Sequence, residues 1–407
     1  MNYAGHITHA GYVGLIDNIT KENALHTDIL YEAGAIFYIR TTQCQSMMQI
    51  CSGKNYIGLC RNPCNTNLTP GGSSSGEAAI CALKGGAMSV GSDIVGSVRA
   101  PASFCGVWGL KPTSKRLSNK NSTAAGYCVP EEVYPTFGPI CRSAEDIDLF
   151  MRVSIGGKPW ESDPDMIPLP WRDVPLPNVT DLKVAVVYDD GFVKPTVPIQ
   201  RGLKIAVEKL KAADVKVVEW SDMNVEREIL AISNCLNGDA GTAQKEIFRK
   251  TGEPVWKLTQ IWSASGCGGK GISFIKGHQE TAIRNAARAR YNDKMKELDV
   301  DFILSPTNCN VAGIVETPWY WGYTSIWNFV DFPNMAFPTG FKADPKIDVP
   351  LKDFKARNEV EQYEQDLYNN QPEMFKGAPI CLQLTGKRWF DEEVVKASQV
   401  VHQIIAV

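Results

Sequence analysis

The 407-residue sequence predicts an α/β fold, a large mixed β-sheet covered by helices on both faces. Short apolar runs suited to buried strands alternate with helix-period segments from end to end, the pattern of strands joined by covering helices. Hydrophobic residues make up 44% and charged residues 21% of the chain, an ordinary globular balance with material for a substantial core. No run of 18 apolar residues is present that would cross a membrane as a helix.

Residues 24–35 (ALHTDILYEAGA) predict a helix stopped at Gly34, and the following IFYIRT predicts a strand. The Gly71–Gly76 loop opens a helix through EAAICALKGG, after which AMSVGS predicts a buried strand. VWGLKP at 107–112 predicts another short strand. SAEDIDLFMRVSIGG predicts a helix capped by Ser143, whose hydroxyl can accept from a free N–H of the first turn. Proline and tryptophan crowd the stretch from Pro159 to Pro177, which predicts an extended surface connection. LKVAVVYDDG, VKVVEW and DFILSP predict strands, with helical patterns at 198–213, 223–250 and 278–298. The chain closes with the strand APICLQLTG and the amphipathic helix DEEVVKASQVVHQII. The charged stretch KADPKIDVPLKDFKARNEVEQYEQDLYNNQ predicts an exposed loop.

A net charge of −3 gives no electrostatic reason to expect nucleic acid or an anionic membrane as a partner. The first residues, MNYAGHITHAGYVG, lack the charged and apolar regions of a signal peptide, so a cytoplasmic location is expected. Twelve scattered cysteines then read as reduced, mostly buried thiols. Cys60 and Cys64 are the closest pair, and no partner pair or histidine follows at zinc-site spacing, so neither a metal nor another cofactor is expected.

The chemistry concentrates between Gly71 and Pro101. Ser73 and Ser97 stand 24 positions apart, each in a glycine-flanked turn. Asp93-Ile94-Val95-Gly96-Ser97 offers a small-residue turn whose successive N–H groups can point into one concavity, as an oxyanion requires. Ser73 comes beside Ser97 if the intervening helix and strand fold back on each other. Gly72-Ser73-Ser74-Ser75-Gly76 also fits the G-x-S-x-G elbow of α/β-hydrolases, but the preceding CNTNLTPG is polar and contains Pro70, where that elbow needs a strand. SGCGGKGIS at 265–273 fails the phosphate-loop spacing and predicts a loop bordering the pocket. WYWGYTSIW at 319–327 predicts core and pocket wall rather than a base-stacking platform, since basic residues are lacking around it.

Gly71-Gly72-Ser73-Ser74-Ser75-Gly76-Glu77 through Ser97-Val98-Arg99-Ala100-Pro101 resembles the amidase signature family of serine hydrolases almost position by position. GLKPT (109–113), GPI (138–140), WNFVDFPNMAFPTG (327–340) and APICLQL (378–384) resemble its fungal acetamidase-type branch. The resemblance implies a single domain over residues 1–407 built on a mixed, mostly parallel-type sheet, and hydrolysis of a carboxylic amide to acid and ammonia without a cofactor. Ser97 would be the nucleophile. Ser73, held by a cis peptide, would pass protons between Ser97 and a lysine. The N–H groups of Ile94, Val95, Gly96 and Ser97 would form the oxyanion hole, with Ser73 bordering the substrate. Asp93, Arg99 and Ser74 would support the loops. The partner implied is a small amide, with neither nucleic acid nor membrane, and a homodimer is admitted.

Two departures accompany the likeness. The family's lysine lies in a segment like GLPISIKD upstream of the bridging serine; Lys21 and Lys54 do not match it, so the base is expected to be absent from this sequence as given. That leaves a working amidase given in part, a truncated gene product, or an amidase-like binding protein impaired in catalysis. Val95 stands where the family has glycine, which is costly for a β-branched residue if positive φ is required. An amidotransferase subunit of the same family is disfavoured by the acetamidase-like C-terminal half.

Overall fold

The computed structural model of the chain describes residues 1–49, 55–123, 131–264, 270–317 and 320–406. Cys51, Cys128, Cys267, Lys54, Trp319 and most of the SGCGGKGIS loop lie outside the described residues. Eight strands form one sheet: β1 (Met88–Asp93), β2 (Trp108–Lys111), β3 (Thr136–Cys141), β4 (Lys183–Val186), β5 (Lys216–Glu219), β6 (Phe302–Pro306), β7 (Asn334–Lys342) and β8 (Pro379–Gly386). The first helices in chain order are α1 (Leu25–Glu32), α2 (Ser75–Ala82), α3 (Arg99–Cys105), α4 (Ala144–Gly156), α5 (Val197–Ala212) and α6 (Glu226–Leu236). There follow α7 (Thr242–Thr251), α8 (Lys257–Ala264), α9 (Phe274–Glu297), α10 (Gly322–Phe329), α11 (Glu359–Asn369) and α12 (Asp391–Ile405).

The strand order is β1-β3-β2-β7-β8-β6-β4-β5. Strand β4 pairs in parallel with β5 and β6, and the other neighbours are antiparallel. The sheet is therefore mixed, as expected, but it is mostly antiparallel and not mostly parallel, as the family resemblance implied. Alternation dictates a parallel crossover where one helix joins two neighbouring strands, and β4–α5–β5 is the unit that does so here.

The two-residue period of the strands sorts side chains into two layers. Leu110, Met335, Phe337, Leu382, Leu384 and Leu304 share one apolar cluster with residues of α4, α5 and α12. Between them stand residues that face the other way. Ala185 and Ile303 join Ile326 and Trp327 of α10 and Ala287, Tyr291 and Met295 of α9 in a second cluster. On that second face β7 and β8 are polar: Asn334, Gln383 and Thr385 are fully buried. Burying polar side chains costs free energy unless partners meet them, so a polar patch in an otherwise apolar interior marks where the fold supports something other than packing.

The Ser143 cap forms as expected, its hydroxyl accepting the Asp146 N–H at 3.0 Å. IFYIRT is not a strand: no neighbour pairs with it among the described residues, and Ile36 and Tyr38 are exposed. AMSVGS forms β1 but at the sheet edge, so it is half-buried rather than buried. The pattern at 223–250 divides into α6 and α7 across Gly241, a left-handed residue. Within the stretch expected to be an exposed loop lies α11, which buries Glu361, Glu364, Gln365 and Tyr368.

Burial of Glu364 has a measurable consequence. Tyr320 bridges two enclosed carboxyls, donating its N–H to Glu364 Oε1 at 2.5 Å and its hydroxyl to Asp190 Oδ2 at 2.7 Å. Burial pushes both up to about 7, against the hydrogen bonds that favour their charged forms. A carboxyl raised in the folded state binds more protons folded than unfolded between its two pKa values, so stability falls as pH climbs through that window. The melting temperature is expected to drop between pH 5 and pH 8, reflecting a cost on the order of a few kcal/mol from this pair. The double variant Asp190→Asn/Glu364→Gln should flatten that slope in a thermal-melt series against pH.

Candidate active site

Ser97 sits in the turn between β1 and α3, and Ser73 in the loop that opens α2. The structure brings these turns together: the Ser74 N–H donates to the Ser97 carbonyl at 3.3 Å. Both serines are 4% exposed, and among the described residues neither hydroxyl has a hydrogen-bond partner. The Gly72–Ser73 peptide is cis. Ser75 Oγ donates to the Gly71 carbonyl at 2.6 Å and Ser74 Oγ accepts from the Ser92 N–H at 3.4 Å, so the serines beside Ser73 tie its loop to itself and to β1.

The turn bearing Ser97 is built around a buried ion pair. Asp93 and Arg99 are both fully buried. Asp93 Oδ1 accepts the Gly96 N–H at 2.8 Å, and Oδ2 accepts the N–H groups of Val98 at 3.1 Å and Arg99 at 3.4 Å. Arg99 returns two bonds to that carboxylate, from Nε and Nη2, each at 3.0 Å. Its remaining donors reach Asn328 Oδ1 at 2.5 Å, the Thr324 carbonyl at 2.9 Å and Asn334 Oδ1 at 3.0 Å. All five N–H donors of the guanidinium thus have acceptors. Burial raises the Asp93 carboxyl, but Arg99 and Asn328 outweigh it and hold the group down at about 2.

Because Gly96 gives its N–H to Asp93, the four expected oxyanion donors narrow to three. The N–H groups of Ile94, Val95 and Ser97 have no acceptor among the described residues. The concern over Val95 also shifts. Val95 is not among the residues with positive φ, and its side chain is buried in one cluster with Ala231, Ile232, Leu236 and Phe329. Gly96 instead has φ 129°, and a Cβ there would collide with the side chain of Thr324. The strict need for glycine falls at Gly96.

Sequence reasoning missed Thr324, Asn328 and Asn334, which close around the turn from α10 and β7. Each is an ordinary polar residue within an aromatic, apolar stretch that reads as core, and its role exists only through the tertiary approach of α10 and β7 to Arg99. Lys111 was also passed over. It is buried, burial lowers its pKa against the pull of Asp331, and its Nζ donates to the Pro112 carbonyl at 2.9 Å beside Asp331 at 3.6 Å. Among the described residues it has no hydrogen bond to either serine.

A family model described as Amidase matches residues 1–395. The chain belongs to the amidase signature family. This amidase-family chain is similar to a solved fatty acid amide hydrolase, with TM-score 0.97 and 43% identity, covering all of this chain and 72% of that one. It is 35% identical to a Schizosaccharomyces pombe protein provisionally named as an amidase, over 96% of this chain and 72% of that one. It is 30% identical to the acetamidase of Emericella nidulans, over 98% of this chain and 74% of that protein. The family is one of hydrolases acting on amide C–N bonds, and the mixed eight-stranded sheet with its covering helices is its fold. Among the described residues no helix is long and apolar enough to cross a membrane, and no cluster of histidine, cysteine or acidic residues suits a metal ion.

Proposed function

We propose that this amidase-family protein cleaves a carboxylic amide to acid and ammonia through an acyl intermediate on Ser97. The observation that carries the reading is the joining of the two serine turns beside three unengaged N–H groups. Ser97 Oγ attacks the amide carbonyl, and the oxygen that gains charge is met by the N–H groups of Ile94, Val95 and Ser97. Fixed donors of this kind act where charge develops and need no reorganisation at that moment. Ser73 relays the Ser97 proton, accepting it on its own oxygen as its hydroxyl hydrogen passes to the departing nitrogen, so that ammonia leaves and the acyl group stays on Ser97. Water then releases the acid. The lysine base of the family pattern is assigned to no residue here.

The wall beside the oxyanion turn supports an uncharged, apolar acyl group. Ile94, Ile283 and Trp321 pack, partly buried, against the cluster that holds Val95 and Leu236. The similarity to a fatty acid amide hydrolase supports the same class. The test is ammonia release from a panel of primary amides, from acetamide to long-chain and aryl amides, with a charged amide as control. Release from the apolar members supports the reading. Tight amide binding with no ammonia would instead establish the binding-protein alternative.

A further inference from the structure

The peptide unit between Val95 and Gly96 is held at both ends. Its carbonyl accepts from Thr324 Oγ1 at 2.7 Å, and its N–H donates to Asp93 Oδ1 at 2.8 Å. A trans peptide is planar with C=O and N–H pointing in opposite directions, so two bonds at opposite ends fix its rotation. Gly96, at φ 129°, has no Cβ to restrict that rotation, and the space a Cβ would fill is taken by the Thr324 side chain. Thr324 Oγ1 also lies 3.1 Å from the Trp321 carbonyl, a local bond of the kind threonine makes within helices. The shorter distance to Val95 places the hydroxyl hydrogen there, since two oxygens at that separation without a hydrogen between them repel. The Thr324 carbonyl meanwhile accepts from Arg99 Nη1 at 2.9 Å. One residue of α10 therefore grips both the Val95–Gly96 plane and the cation that anchors the turn.

We infer that Thr324 is a positioning residue that locks the Val95–Gly96 peptide in the orientation that aims the neighbouring N–H groups at the oxyanion. The N–H of Val95 lies in the plane before this one and that of Ser97 in the plane after it; the two bonds fix ψ of Val95 and φ of Gly96, the torsions that set those two donor planes relative to each other. With the Thr324 hydroxyl removed, the plane keeps a single tether, the one to Asp93. The loss falls on the step in which negative charge grows on oxygen and leaves ground-state binding of the amide largely untouched, because a neutral carbonyl draws little on those donors.

This inference rests on the proposed amide hydrolysis, and the test separates the two. The full chain, Thr324→Val and Thr324→Ser are compared on the amide that the unmodified protein cleaves fastest, with kcat and KM measured separately. Thr324→Val keeps the shape and removes the hydroxyl; it is expected to lower kcat by roughly 10²-fold, in the range for loss of one oxyanion donor. KM should move by less than about threefold, and Thr324→Ser, which keeps the hydroxyl, should restore kcat to within about threefold. Where the valine variant does not fold, Thr324→Ala is judged by the same criteria. Turnover undiminished in Thr324→Val overturns the lock, as does a serine variant as slow as the valine one, which would trace the effect to the methyl group. No turnover of any amide by the unmodified protein would instead overturn the proposed function and the lock with it.

Discussion

Replacing Ser97 with alanine is expected to reduce amide turnover to background, a loss of about 10⁴–10⁶-fold. Ser97 supplies the atom that receives the acyl group: Ile94, Val95 and Gly96 carry no nucleophilic side chain, and the Asp93 carboxylate is taken up by Arg99. Ser73→Ala is expected to be nearly as severe, about 10²–10⁴-fold, since it removes the proton carrier while leaving the nucleophile. Both variants should melt within a degree or two of the unmodified protein. Neither hydroxyl makes a hydrogen bond among the described residues, so its removal leaves no buried partner unsatisfied. Unaltered melting with lost ammonia release separates a chemical role from a structural one. Retained hydrolysis by Ser97→Ala would sink the assignment.

The second large effect falls on stability. Removing one partner of a buried ion pair strands the other charge without water, at a cost of about 3–5 kcal/mol. Arg99→Met should do this to Asp93, which would keep only the Asn328 amide and three backbone N–H groups as donors. Arg99→Lys should recover little, because a single ammonium with three donors cannot meet four groups spread around a planar fork. Asp93→Asn/Arg99→Met, which removes both charges, should be less destabilised than the sum of its parts, and a double-mutant cycle in urea measures the difference. Simple addition of the two single effects would show that the pair is not coupled as the geometry requires. All these variants should also lose activity, since the pair shapes the turn that carries Ser97.

Much of this arrangement is legible in the chain before folding. Local rules suffice for α1, α4, α5 and α12, whose apolar stripes are written within one segment, with the Ser143 cap added at α4. The serine turns are visible through glycine, because only Gly96 can take φ 129° while Thr324 crowds it from beneath. Strand direction was misjudged because pairing is a property of distant segments: β7 lies between β2 and β8, and no local pattern at 334–342 announces that. IFYIRT has strand composition without a ladder partner among the described residues, and composition alone does not make a strand. Glu364 and Gln365 looked exposed because their stretch is charged, yet α11 turns that face inward against Tyr320 and Lys194. Thr324 and Asn328 carried no signal at all, since their partners lie more than 200 positions away.

The most direct test of the central assignment is the site of covalent trapping by a fluorophosphonate, a reagent that captures an activated serine. Cleavage after lysine and arginine places Ser97 in the peptide Gly85–Arg99 and Ser73 in Asn62–Lys84, so mass spectrometry distinguishes the two turns. A single adduct on Ser97, lost in Ser97→Ala, is the predicted result. An adduct on Ser73 or elsewhere, or none while amide hydrolysis proceeds, would contradict the assignment of Ser97 as the acyl-accepting nucleophile.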